Sequence, residues 1–82
     1  MKNETIQPGW NVGSVLRERR EQLGLSLERL GAEAGVHPSV ISRVELSRRR
    51  ATAELLLRLA SLLQFRKLEL LTLAGYLKAK TL

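Results

Sequence analysis

The chain predicts an all-α fold, a compact bundle of five helices, and three observations carry that expectation. Apolar residues recur at three- and four-residue spacing. No stretch sustains period-two alternation. Residues that start and stop helices stand at the ends of the apolar runs. Eighty-two residues make one small domain with room for a single modest core. Cysteine is absent and leucine occurs eighteen times, so packing has to supply stability without disulfides or thiolate–metal bonds.

Residues 1–10 read as a flexible, polar lead ending in the turn signal Pro8-Gly9, with Trp10 last. They contain no apolar core of a secretory leader. The first helix is expected to start with Asn11 as N-cap. Trp10 and Val15 would then form a hydrophobic staple, with Trp10 packed rather than held for a ligand. Val12, Val15, Leu16 and Leu23 make its stripe, and Gly24 ends it. Ser26 caps a second helix carrying Leu27, Leu30 and Ala34, which Gly35 terminates. A third starts with His37 as cap and Pro38 in the first helical position, where a missing N–H costs nothing. Val40, Ile41 and Val44 face one way along it. After the loop 47–51, Thr52 caps a fourth helix through Leu63, with Leu56, Leu59, Ala60 and Leu63 as its main stripe. A fifth runs from about Lys67 to Ala74 and closes at Gly75. The domain is thus expected over residues 11–77, with 78–82 as a tail.

Charge narrows the function. Fourteen basic against eight acidic residues leave +6, which calls for an acidic partner, nucleic acid or an anionic membrane surface. The leucine-rich stretch Leu55–Leu77 is no membrane span. Arg58, Arg66, Lys67 and Glu69 interrupt it, at about 2.5–3.5 kcal/mol for each central charge. Nor are the charges gathered on one face, as a membrane-surface helix requires. The expectation is a soluble, cytoplasmic protein. One histidine, with no cysteine or aspartate, supports neither a metal site nor a catalytic triad, and no glutamate pair stands beside a nucleophile. Neither an enzyme nor a cofactor site is expected.

Only Gly35-Val36-His37 separates the second and third helices, the tight glycine-containing corner of a helix-turn-helix. An apolar residue must fill that corner, and the next helix must keep one face dry. Val36 and Val40-Ile41-Val44 answer both needs. The opposite face of the third helix carries Ser39, Ser42, Arg43 and Leu46. Arg43 is either a solvated charge or a bidentate donor to guanine O6 and N7, and its place on this free face favours contact. Ser39 and Ser42 suit bases or phosphates. The run Arg48-Arg49-Arg50 is by default a solvated loop, yet behind a reading helix it serves as a backbone clamp.

Leu16-Arg17-Glu18-Arg19-Arg20 leads to Gly24-Leu25-Ser26, followed by Leu30, Ala34-Gly35-Val36 and Ile41-Ser42-Arg43-Val44-Glu45. Arg48-Arg49-Arg50, Leu59-Ala60 and Ala74-Gly75-Tyr76 complete an ordered set. This set resembles the Cro/C1-type (XRE) family of DNA-binding domains over residues 12–76. The resemblance implies a lambda-repressor-like bundle with residues 38–46 as recognition helix in the major groove. It puts Pro38, Ser39 and Arg43 where bases are touched, and Ser26, His37 and Arg48, Arg49 and Arg50 near phosphates. It also implies a structural ion pair between Arg20 and Glu45. The chain departs from the family pattern at Leu27 (usually glutamine), at Pro38, which offers no side-chain hydrogen bond, at Ser47 (usually glycine) and at Ala51 (usually proline).

The expected partner is double-stranded DNA, bound by a sequence-specific transcriptional regulator. Leu55 and Leu62 sit off the main stripe of the fourth helix, and Leu70, Leu73 and Leu77 form a second line. They are either core covered on several sides or the interface of a homodimer, which is the expectation here. The competing expectation is a protein-interaction module, such as an antitoxin-like or assembly helix-turn-helix. Leu27 and Leu46, on the DNA side or its edge, lean that way.

Overall fold

The computed structural model of the chain describes residues 12–77. The lead 1–10, the Trp10 staple, the Asn11 cap and the tail 78–82 lie outside the described residues. Five helices follow one another: α1 (Val12–Gln22), α2 (Leu27–Ala34), α3 (Pro38–Glu45), α4 (Ala53–Leu63) and α5 (Lys67–Leu73). Among the described residues there is no strand, and no helix is long and apolar enough to cross a membrane.

Side chains next to the helix starts set where they begin. Ser26 Oγ accepts the Arg29 N–H at 2.9 Å, and Thr52 Oγ1 accepts the Leu55 N–H at 3.1 Å. Each such cap contributes about 1 kcal/mol. Helix α2 stops at Gly35, whose φ of 78° lets the chain fold back on itself. The Val36 N–H then reaches the Gly31 carbonyl at 2.9 Å, and the Gly35 N–H reaches Ala32. The corner of the helix-turn-helix is therefore closed by backbone bonds.

Helix α4 lies at the centre, packed against α1, α2 and α5, while α3 is held between α1 and α2. Leu56, Leu59, Ala60 and Leu63 of α4 are fully buried, joined by Leu16, Leu30, Ile41, Val44 and Leu70. Three leucines depart from the expected pattern. Leu23 is 37% exposed because α1 stops at Gln22; beyond it the chain leaves helical phase, and Leu25 packs on the core instead. Leu55, expected off the stripe, is buried because a central helix is covered on more than one side. Leu70 is wholly inside, so only Leu73 and Leu77 of the expected second line reach the surface.

Two glycines let the neighbouring helices close on α3 from its two ends. A Cβ on Gly13 of α1 would collide with the carbonyl oxygens of Val44 and Glu45. A Cβ on Gly31 of α2 would stand 2.8 Å from the Val36 oxygen and 3.1 Å from Pro38 N. A helix-interior glycine costs about 1 kcal/mol against alanine, and here it admits backbone-to-backbone approach. Helix α3 is thus fixed at both ends, with its outer face left open.

Candidate nucleic-acid interface

At the start of α3 the His37 ring is the N-cap: Nδ1 accepts the Ser39 N–H at 3.1 Å and lies 2.9 Å from Ser39 Oγ. In the neutral ring this puts the remaining proton on Nε2, leaving one donor for an outside acceptor. Pro38 follows in the first turn. Ser26, at the start of α2, uses a lone pair for its cap and keeps its hydroxyl proton available. Ser39 is half-buried and already engaged with His37. Ser42 is half-buried as well. Arg43 is exposed and makes no ion pair among the described residues. Leu46, 48% exposed, ends the same helical face.

Positive charge dominates this segment because its one acid is turned inward. Arg20 Nε meets Glu45 Oε2 at 2.7 Å and Arg20 Nη2 meets Oε1 at 3.1 Å, a two-point ion pair. Only 11% and 4% of the two side chains remain exposed. Arg20 Nη1 also donates to the Leu25 carbonyl at 2.9 Å, so one guanidinium ties α1 both to α3 and to the chain entering α2. The hydrogen bond to Glu45 holds the Arg20 pKa above its ordinary value, against the opposing effect of burial. A raised basic group adds stability below its unfolded value, and that contribution is lost as pH rises through the folded value.

The loop after α3 divides its three arginines. Its backbone is tied to the helix end by the Arg48 N–H to Arg43 carbonyl bond at 2.8 Å, and Ser47 turns the chain with φ 60°. That is a left-handed conformation, at the position where the family pattern usually has glycine. Arg48 and Arg49 are exposed with no ion pair among the described residues. Arg49 borders a groove with Val36, Val40, Thr52, Leu55, Arg58 and Glu54, whose carboxylate is already paired with Arg58. Arg50 instead stacks on Tyr76, its guanidinium carbon 4.5 Å from the ring centroid.

Several supporting residues carried no sequence signal of their own. Arg19 Nη1 donates to the carbonyls of Leu63 and Gln64 at 2.8 and 3.0 Å, and its guanidinium lies 4.2 Å from the Phe65 ring centroid. It closes the C-terminus of α4 from a distance of more than forty residues in the chain. Arg58 Nη1 does the same for α2, donating to Ala34 O at 3.1 Å just before the corner. Tyr76 donates its hydroxyl to the Ala51 carbonyl at 2.6 Å. Each partner is a backbone oxygen, which no residue type marks. A terminal Lys or Arg near a helix C-terminus is the only general hint, and Arg19 is not in that helix. Among the described residues, no group of three or more His, Cys, Asp or Glu could hold a metal.

No curated protein matches the chain. The model of a helix-turn-helix family matches residues 16–71, taking in α2, the corner, α3, the arginine loop and α4 whole. With that match over more than half its length, on a corner and outer face of this geometry, the chain belongs to the Cro/C1-type (XRE) family of helix-turn-helix DNA-binding domains.

Proposed function

We propose that the protein is a sequence-specific, double-stranded DNA-binding transcriptional regulator that places α3 in the major groove. One observation carries this reading: Arg43 stands exposed and unpaired on the outer face of α3 while Glu45, the only acid of the helix, is buried against Arg20. In this reading Ser39, Ser42 and Arg43 touch bases. Ser26, His37 and arginines of the 48–50 loop touch phosphate, giving affinity and register with little sequence information. Residues 11–77 are the binding unit. The protein acts as a binder without catalysis or cofactor, in the cytoplasm where the chromosome lies. Leu68, Leu73 and Leu77, exposed at the C-terminal end, support a homodimer. A two-fold would set two recognition helices about 34–36 Å apart, one turn of DNA.

Selection of bound duplexes from a random pool tests the reading. A palindrome with half-sites one turn apart is the expected product, and a pool that enriches nothing counts against it. The other reading, a protein-interaction module, draws on Leu46, nearly half exposed at the end of the outer face. Arg43→Glu separates the two: it abolishes DNA binding but leaves a leucine-mediated complex intact.

A further inference from the structure

The loop between α3 and α4 is pinned at both ends by contacts of different origin. At its start, the N–H groups of Leu46, Ser47 and Arg48 reach back to carbonyls of α3 at 2.8–3.1 Å. At its end, three contacts converge on the segment after α5, some 25 residues further along the chain. The Tyr76 hydroxyl donates to the Ala51 carbonyl at 2.6 Å, Arg50 stacks over the Tyr76 ring, and Arg50 Nη2 donates to the Ala74 carbonyl at 3.4 Å. Ala51 itself is only 3% exposed. Arg48 and Arg49 remain between these anchors with free side chains.

We propose that Tyr76 is a positioning residue for DNA binding: it holds Arg50 and Ala51, so that of the three loop arginines Arg48 and Arg49 are the ones presented to phosphate. The inference rests on the DNA-binding reading above. Arg50 is held over an aromatic ring and bonded through one Nη to a backbone carbonyl, so the fold and not a ligand sets its position. Its contribution is to order the loop in advance, which lowers the entropy lost when the neighbouring arginines dock. Arg50 therefore supports the clamp without being part of it.

Salt-dependent titration distinguishes the roles, because each phosphate neutralised adds about −0.9 to the slope of log K against log salt. The probe is a fluorescently labelled random-sequence duplex of about 20 base pairs, titrated between about 50 and 200 mM salt. Arg48→Ala and Arg49→Ala are each expected to make the slope shallower by about 0.9. Arg50→Ala and Tyr76→Leu are expected to weaken binding about three- to tenfold at every salt concentration with the slope unchanged. Tyr76→Phe keeps the ring and should lose less than Tyr76→Leu. Arg50→Lys keeps the charge but not the planar stack, and should behave like Arg50→Ala. Thermal melts check that each variant is folded; if Tyr76→Leu is not, Tyr76→Phe and Arg50→Lys carry the comparison. A shallower slope for Arg50→Ala, or wild-type binding by Arg50→Lys, overturns the proposal alone. A wild-type chain that binds no duplex overturns the DNA-binding reading, and this proposal with it.

Discussion

Two short stretches of this chain are rich in arginine, and the fold uses them in opposite ways. Arg17, Arg19 and Arg20 lie on α1; Arg48, Arg49 and Arg50 lie in the loop after α3. On the helix, every arginine has a partner. Arg17 pairs with Glu21 one turn on, Arg19 closes the end of α4, and Arg20 grips Glu45. In the loop, Arg48 and Arg49 have none among the described residues, and Arg50 has an aromatic ring. Equal composition therefore says little about whether a basic run faces a ligand. What decides is whether acids and bare helix ends lie within reach. Helix α1 runs past both, whereas the loop projects from the end of a helix whose acid is already engaged.

The largest effect belongs to the pair that joins the two regions. Arg20→Ala or Glu45→Ala leaves a charge unpaired in a nearly buried site, which costs about 3–5 kcal/mol. Urea denaturation measures it, and a loss under about 1 kcal/mol would mark the pair as an ordinary surface contact. Arg43→Ala should behave in the reverse manner. Discrimination at one base pair of the selected site falls by about 1–3 kcal/mol, while stability stays within about 0.5 kcal/mol, as for an exposed side chain without partners. An equal loss on every sequence would instead make Arg43 a phosphate contact. Arg19→Ala removes two carbonyl bonds and an aromatic stack, and is expected to cost about 1–2 kcal/mol of stability. In the folded protein the salt slope of DNA binding should not move. The smallest change is Arg17→Ala. Its pair with Glu21 spans 3.3 Å between side chains that are more than half exposed. About 0.3–0.5 kcal/mol is the expected loss by thermal melt, diminishing in high salt.

The helices were legible because their signals are local. Ser26, Thr52, His37-Pro38 and Gly35 stop or start a helix through bonds to atoms two to five residues away. A sequence shows such neighbours directly. Burial along α4 was only half legible: its stripe predicts Leu56, Leu59 and Leu63, but Leu55 is inside because of what packs on a second side. Glycines 13 and 31 look like mere helix weakeners until the backbone of α3 and its corner is seen against them. In the site, helical spacing puts Ser39, Ser42, Arg43 and Leu46 on one face without any tertiary knowledge. Which arginine of the 48–50 run is held back was out of reach, since Tyr76 lies beyond another two helices. Long-range bonds to carbonyls, such as Arg19 to Leu63 and Tyr76 to Ala51, leave no mark in residue type.

In the proposed reading Arg48 and Arg49 of the loop serve a polyanion, while Arg50 and the helix arginines serve the fold. One comparison tests it most directly: the salt slope of duplex binding for wild type and for the double variant Arg48→Ala/Arg49→Ala, each with its melting temperature. The expected slope is shallower by about 1.8 in the double variant, from two lost phosphate contacts, at an unchanged melting temperature. An unchanged slope with a lowered melting temperature would contradict it.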